Sequence, residues 1–364
     1  MERIMTNRLD RGFFKYQEEF EAAAVRVLRS GWYILGEELK SFEEAFASYI
    51  GSKYAVGCGN GLDALTLACR AAGISEGDEV IVQGNTFIAS AMGISAAGGK
   101  PVFVEPDEYY QLDPTRIEPH ITERTKAVMA VHLYGQTARM KEIKSLCDKH
   151  GLRLIEDCAQ SHGAYAGEKI SGSIGDIGCF SFYPSKNLGC FGDGGAVVTD
   201  SEEYCARIRQ LRNYGSSVRY HNEELGVNSR LDEIQAALLK VRLSHIKELT
   251  GERKAAAALY DKAIDNPKVI KPAVRDGADH VYHQYVIRCK ERDALAEHLK
   301  NRGVDTIIHY PIPPHLSKAY AFLGYKEGDL PITEEYAKTV LSIPMYNGIT
   351  EEEQGRVIEA INEF

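Results

Sequence analysis

The sequence of 364 residues has little of what marks a specialised protein class. No stretch approaches the ~20 consecutive apolar residues of a membrane span, so no spanning helix is expected. There is no basic surplus: 43 Lys and Arg against 52 Asp and Glu leave a formal net charge of −9. That balance argues against nucleic acid or an anionic membrane as a partner, since nothing supplies a broad basic face. It leaves room for a small anionic ligand, because a few local donors hold one phosphate. The eight cysteines form no Cys-x-x-Cys and lie scattered in apolar runs, where they read as small reduced core residues. Met1–Asp10 is charged and polar with no apolar run behind it, so a cytoplasmic location is expected. There is no internal repeat and no low-complexity tract. What remains, 44% hydrophobic and 26% charged, is an ordinary globular composition. The chain is long enough to bury a core without disulfide or metal staples, and its length points to about two domains.

The hydrophobic period changes along the chain. Tyr16–Ser30 and Glu37–Ile50 read as amphipathic helices, the second with Leu39, Phe42, Phe46 and Ile50 at helical spacing. Short β-rich runs then alternate with helices. Strands are expected at Tyr54–Gly57, Val80–Val82, Val102–Val104, Ala127–His132, Arg153–Ile155, Gly178–Phe182 and Ala196–Thr199, and helices near Leu62–Ala72, Ala89–Ala97 and Met140–His150. This alternation predicts a doubly wound α/β sheet, mostly parallel and buried on both faces, with ligands beyond the carboxyl ends of its strands. Glu202–Leu211 is helical. Leu231–Ala263 reads as a long helical stretch entered through a Ser229-x-x-Asp232 capping box, with Gly251 able to kink or split it. A smaller α/β unit follows: strand Tyr282–Arg288, helix Asp293–Asn301, strand Val304–Ile308, then helices near Glu334–Leu341 and Glu352–Ile361. The expected division is residues 1–245 as the large domain with its N-terminal helices, and 246–364 as the small one.

Three local features carry chemistry. Gly57-Cys58-Gly59-Asn60-Gly61-Leu62 is a glycine-rich turn between a strand and a helix, readable either as a phosphate cradle or as a plain turn. It lacks the Lys of a Walker loop and the final Gly of a dinucleotide fingerprint. Glu156-Asp157 ends an apolar strand, where a carboxylate either fixes a cationic ligand group or caps a loop. Lys186 sits in a turn between two β-rich segments, among aromatic and small residues, ahead of Gly192-Asp193-Gly194-Gly195. An ammonium placed there is costly unless paired, neutralised or covalently used. Cradle, acidic strand end and lysine turn follow in the order that binding pyridoxal 5'-phosphate on an open sheet requires.

The chain resembles the DegT/DnrJ/StrS family of pyridoxal-phosphate-dependent sugar aminotransferases. The resemblance rests chiefly on the blocks Glu156–Ala164, Phe180–Asn187 and Asn228–Ala237, and spans nearly the whole sequence. It implies an aspartate-aminotransferase-type (type I) three-layer fold with a smaller C-terminal α/β domain. It implies further that Lys186 forms the Schiff base, Asp157 holds the pyridinium N–H, and Gln160 lies against the ring oxygen. Ser181 and the backbone at Gly61-Leu62 would hold the phosphate, and Phe87 would stack on the ring. Asn228 would reach a cofactor phosphate in a neighbouring copy, making the active unit a homodimer. One departure is visible: Leu62 stands where many relatives carry Thr or Ser, leaving only its backbone N–H. Family dehydratases replace the lysine with His, so Lys186 favours amino transfer.

On the substrate side, Tyr183, Arg219, Tyr220, His309 and Tyr310 are the expected contacts. Arg219-Tyr220 offers a cation and a ring for a pyrophosphate or base, or else decorates a mobile loop. His309 and Tyr310 stand at the mouth of the site by resemblance, or else fill a proline-rich seam. A metal reading of His280-x-x-His283 or His309…His315 is weak, because no Cys or Asp completes a tetrahedral set, and no metal is expected. Asn60–Leu65, Tyr134–Ala138 and His309–His315 resemble enzymes acting at C3 of dTDP-3-keto-6-deoxyhexoses. The resulting expectation is amino transfer from L-glutamate to such a sugar, giving a 3-amino-3,6-dideoxy sugar for surface polysaccharide (O-antigen, lipopolysaccharide) or another glycoconjugate. The alternatives are a C4 aminotransferase on a UDP-, GDP- or dTDP-linked keto sugar, another keto sugar or a keto-cyclitol, and a non-catalytic sugar-binding regulator of the same fold.

Overall fold

The computed structural model describes residues 3–364. A seven-stranded sheet forms its centre. Its strands are β1 (Tyr54–Cys58), β2 (Glu79–Gln83), β3 (Lys100–Val104), β4 (Thr125–Val131) and β5 (Arg153–Asp157), and, after a hairpin of β6 (Tyr165–Ala166) and β7 (Lys169–Ile170), β8 (Ile177–Ser181) and β9 (Gly195–Thr199). The spatial order is β1-β9-β8-β5-β4-β2-β3. Neighbours from β8 through β3 are parallel, whereas β9 runs antiparallel to both β1 and β8. The expected α/β sheet is therefore present, with one reversed strand.

Successive residues on these strands enter different cores, as period-two geometry requires. Val80 and Val82 join one hydrophobic cluster and Ile81 another; Ile155 and Leu154 divide the same way. Each fully buried aliphatic side chain contributes about 1.5–3 kcal/mol, so a sheet covered on both faces fixes its register firmly. The helices that cover it are α3 (Glu37–Ile50), α4 (Gly61–Ala71), α5 (Ile88–Ala96), α6 (Met140–His150) and α7 (Glu202–Leu211), while α1 (Leu9–Lys15) and α2 (Gln17–Ser30) precede them and α2 packs in a separate cluster with Ala237, Leu238 and Leu249. On α3, Leu39, Phe42, Phe46 and Ile50 form the apolar stripe read from the sequence, and Phe46 packs edge-on against Phe180 and Phe182. All eight cysteines are free and buried.

Beyond β9 comes a small hairpin, β10 (Ser216–Val218) and β11 (His221–Asn222). The helices α8 (Glu233–Ser244) and α9 (Ile246–Ala263) lead to a three-stranded antiparallel sheet of β12 (Val269–Ile270), β13 (Tyr285–Cys289) and β14 (Val340–Ile343). Tyr260 of α9 packs against this sheet, together with α10 (Arg292–Asn301) and α12 (Glu351–Asn362); α11 (Pro331–Thr339) runs straight into β14. The N-terminal strand-like segment joins this unit: Ile4 N–H donates to Gly303 O at 2.8 Å, and Asp305 N–H to Ile4 O at 2.9 Å. No helix among the described residues is long and apolar enough to cross a membrane.

Several boundaries differ from the sequence reading. The stretch 231–263 is two helices, and the break falls at His245, not at Gly251, which lies inside α9 with open space around it. His245 leaves helical geometry to stack on Tyr16 at 3.9 Å and to meet Glu19 at 3.0 Å, so tertiary contact overrides local propensity. Ser229 and Asp232 form no capping box: Ser229 Oγ instead donates to Asp63 at 2.6 Å and accepts from Gly59 N–H at 2.9 Å. Residues 304–308 make isolated bridges only, from Val304 to Ile4 and from Ile307 to Ser342, because their partners lie on different segments. The helix expected to reach Leu341 ends at Thr339, since Val340–Ile343 finds a strand partner in β13. At the other end of that sheet, Tyr282 adopts φ 46° and delays β13 to Tyr285.

Candidate active site

A cavity of ≈ 380 Å³ opens at the carboxyl ends of the parallel strands, where a doubly wound sheet places its ligands. Ten of the sequence-predicted residues line it: Gly61, Leu62, Phe87, Asp157, Gln160, Ser181, Tyr183, Lys186, His309 and Tyr310. Asn228, Arg219 and Tyr220 do not line it.

The floor begins at the N-terminus of α4. Asn60 Oδ1 accepts from Asp63 N–H at 2.8 Å, which starts the helix and leaves other first-turn N–H groups free. Gly61 is required here: a Cβ at this position would stand 2.6 Å from Ser181 Cβ. The glycine keeps open a cleft between a helix dipole's positive end and a serine hydroxyl, which is an anion site. Leu62 follows in the same turn, contributing no hydroxyl.

Asp157 is the last residue of β5 and is buried. Ser90 Oγ donates to Asp157 Oδ2 at 2.8 Å, Thr86 and Ser90 hydroxyls meet at 2.7 Å, and Ala159 N–H donates to Oδ1 at 3.1 Å. The carboxylate is thus held in one orientation with lone pairs left for the cavity. Its neighbour Glu156 points the other way, as strand alternation dictates. Glu156 accepts from His132 at 2.9 Å and from the N–H groups of Gly172, Ile174 and Gly175 at 2.9, 2.8 and 2.6 Å. Burial alone would raise its pKa, but these hydrogen bonds hold it below the usual carboxylate range. His132, Glu156 and Cys158 bring ligand-type atoms within 4.8 Å of one another, yet both Glu156 oxygens are already occupied by protein donors.

Lys186 lies in the excursion between β8 and β9. Phe182 N–H donates to Gly194 O at 2.7 Å and Lys186 N–H to Tyr183 O at 2.8 Å, so the turn is closed at its base and at its tip. Burial lowers the lysine's pKa to about 8, and only Asp157 acts against that shift. The side chains around it are kept neutral by the same desolvation: His309 falls to about 4 and His283 well below its ordinary value, with Lys186 adding to both.

The upper wall is a connected set. Gln160 Oε1 accepts from Tyr134 N–H at 2.6 Å, Gln160 Nε2 donates to Tyr310 Oη at 3.1 Å, and the Tyr134 hydroxyl donates to His309 O. Phe87 and Tyr310 rings lie 5.1 Å apart, and Phe87 stays half-exposed at the head of α5. His309 Nδ1 meets Ser342 Oγ at 2.8 Å, His283 Nδ1 meets Asn187 Oδ1 at 3.2 Å, His280 stacks on Tyr282 at 4.1 Å, and His315 meets Glu334 at 3.2 Å. The histidines considered for a metal are thus committed to separate partners.

Thr86, Ser90, Asp193, His283 and Gln284 were not singled out from the sequence as site residues. Thr86 stands just before Phe87, the residue that heads α5, and Ser90 lies in the first turn of that helix, so the chain's entry into α5 brings the two hydroxyls together. His283 and Gln284 come from the C-terminal unit, and no local pattern announces their approach. Arg219 and Tyr220 lie at the turn of the β10–β11 hairpin, where the guanidinium stands 4.9 Å over the Tyr220 ring and the ring is 83% exposed. Asn228 bridges Asn213 through its backbone.

The donor set fits pyridoxal phosphate. A helix-end anion cleft that only glycine leaves open, a fixed carboxylate, a depressed-pKa lysine and a half-exposed aromatic ring all converge on one cavity. The chain matches the DegT/DnrJ/EryC1/StrS aminotransferase family over residues 15–362. It is 50% identical to a dTDP-3-amino-3,6-dideoxy-alpha-D-galactopyranose transaminase of Aneurinibacillus thermoaerophilus, covering 96% of each chain. It is 48% identical to a dTDP-3-amino-3,4,6-trideoxy-alpha-D-glucose transaminase of Streptomyces venezuelae, covering 98% of this chain and 94% of that one. Among solved structures, S. venezuelae DesV superposes with a TM-score of 0.98 at 47% identity, over 100% of this chain and 98% of that one. The chain belongs to the DegT/DnrJ/EryC1/StrS family and is a pyridoxal-phosphate-dependent aminotransferase.

Proposed function

We propose that this enzyme transfers the amino group of L-glutamate to C3 of a dTDP-linked 3-keto-6-deoxyhexose, giving a 3-amino-3,6-dideoxy sugar. The observation that carries amino transfer is Lys186, half-buried with a pKa lowered to about 8 and sharing one cavity with the oriented carboxylate of Asp157. The choice of C3 and of dTDP is supported by the half-identity to transaminases named for those sugars.

Bound pyridoxal phosphate supplies an aldehyde carbon and an electron-withdrawing ring. Asp157 would accept the ring N–H and keep the ring charged. Gly61, Leu62 and Ser181 would hold the phosphate through backbone N–H groups and one hydroxyl. Phe87 would cover the ring and Gln160 would hold its oxygen. Lys186 Nζ, once free, is basic enough near neutral pH to take the donor's Cα proton, and it returns a proton to C3 of the acceptor in the second half-reaction. Its neutral neighbours His283 and His309 do not compete for that proton. Tyr183, Tyr310 and His309 flank the acceptor.

Arg219, Tyr220 and Asn228 lie outside this cavity, which supports their serving the site of a second copy in a homodimer, with Arg219-Tyr220 on the sugar nucleotide and Asn228 on the cofactor phosphate. We place the enzyme in the cytoplasm, with residues 1–245 and 246–364 as its two domains and a surface polysaccharide or other glycoconjugate as the product's destination.

The test is incubation with L-glutamate and dTDP-3-keto-6-deoxyglucose or its galacto epimer, with the new amine located by NMR. An amine at C3 is expected. An amine at C4 overturns the regiochemistry, and no product with either sugar or with 4-keto analogues overturns the catalytic reading.

A further inference from the structure

The turn that carries Lys186 separates two cavities. The second is small, ≈ 30 Å³, and shares only Ser185 and Lys186 with the first. Its other walls come from the N-terminal segment (Asn7, Arg8, Leu9, Gly12) and from helices α8 and α9. Arg242 and Arg253 both face it.

These two guanidinium groups are unusually placed. Arg242 donates through Nη1 to Gly189 O at 3.0 Å, and its Nη2 lies 3.3 Å from where a Cβ on Gly12 would stand. The rings of Phe20 and Phe191 pack over it at 5.9 and 5.6 Å. Arg253 donates through Nε to Asn347 at 3.0 Å, and through Nη1 to the carbonyls of Tyr282, His283 and Met345 at 3.2, 3.2 and 3.3 Å. Every acceptor is neutral. Among the described residues no carboxylate comes within ion-pair distance of either arginine. Glu252, the nearest negative charge acting on Arg253, is engaged by Lys15 and Asn347. Arg8, at the same cavity, is paired with Asp10 at 2.7 Å.

Burial depresses the pKa of both groups, that of Arg253 to about 10, and the charge of Arg242 adds to the depression at Arg253. Arginine stays charged at such values, so two like charges line one small cavity. Buried charges of one sign call for a counter-charge. No carboxylate lines the cavity, and its size admits one small ion but neither substrate.

We propose that this cavity binds one small monovalent anion of the halide class, held by Arg242 and Arg253 behind the catalytic lysine. The site is independent of which sugar the enzyme aminates. The ion balances positive charge that the protein itself leaves unpaired, and it steadies the contact between the N-terminal segment, α8 and the lysine turn.

The test uses the full-length holoenzyme. Crystals grown in sodium bromide should show an anomalous peak between Arg242 and Arg253, within about 3.5 Å of both guanidinium groups. At equal ionic strength, Tm in sodium chloride should exceed Tm in sodium gluconate, whose anion is too large for the cavity, by about 2 °C or more. Arg242→Gln should abolish that difference and the peak. Should the variant fail to fold, the native protein's peak and paired melting curves decide alone. A cavity without bromide, one filled by a carboxylate of a second copy, or equal melting in the two salts overturns the proposal.

Discussion

The cofactor end of the cavity and the 214–228 segment outside it are built differently. At the cofactor end, each group is tied to the central sheet or to a helix that starts from it. Asp157 ends a strand and is fixed by Ser90 and Ala159, Gly61 abuts Ser181, and Lys186 rides a loop closed by its flanking strands. Outside the cavity, the 214–228 segment carries Arg219 and Tyr220 on a short hairpin and Asn228 beyond it, and Tyr214, Tyr220 and Leu225 stand exposed. The chemistry that every substrate shares is placed on rigid elements, and the groups assigned to recognition sit where the chain gives them no cover of its own.

Mutations should separate these regions by size of effect. Lys186→Ala is expected to remove turnover by on the order of 10⁴-fold or more, with loss of the cofactor's bound absorbance, because no other side chain in the cavity moves the proton. Steady-state assays and a visible spectrum check this; residual activity above a hundredth of the native value would contradict the lysine's role. Asp157→Asn should retain cofactor but lower kcat by about 10²–10³-fold, since an amide does not hold the ring charged. Equal kcat in that variant would remove the carboxylate from the mechanism.

Residues that hold or support the cofactor without moving a proton should respond less. Asn228→Ala is expected to weaken cofactor retention by about tenfold, the value of one phosphate hydrogen bond, with kcat at saturation little changed. In dimers mixed from Asn228→Ala and Lys186→Ala chains, the one site that keeps its lysine is completed by the partner's Asn228, so native cofactor retention at that site should return; retention still weakened about tenfold would argue against donation across the interface. The smallest effect is expected from Ser90→Ala, about three- to tenfold in kcat with restoration by Ser90→Thr, measured as kcat against KM.

Titration separates the regions as well. In the cofactor-free protein, Lys186 has its pKa lowered from the ordinary 10.5 to about 8. The unfolded chain therefore binds more protons between those values, and stability should rise with pH through that window. Lys186→Met should flatten this slope in pH-dependent urea melts. Below the ordinary carboxylate range, protonation of Glu156 should cost stability, since its folded pKa is depressed.

The sheet was legible because period two and helical spacing are local signals, and so were the residues of three compact motifs that end on its strands. What failed was set by partners distant in sequence. The break at His245 depends on Tyr16 and Glu19, the strand Val340–Ile343 depends on Tyr285–Cys289, and Ser229 answers to Gly59 and Asp63 rather than to its own helix. His283 and Gln284 enter the cavity from the C-terminal unit, and only the assembled fold brings them beside Lys186.

The reversed strand β9 has a consequence of its own. Because it returns beside β8, the loop between them leaves and re-enters the sheet at the same end of its strands, as a cassette whose two ends are clamped together. The reactive nitrogen's location is thereby settled before Thr199. Later segments still grip this cassette, since Val281 and His283 meet Asn187 and Arg242 meets Gly189, so the uncovered 214–228 segment is where change toward new acceptors disturbs the point of nitrogen exchange least.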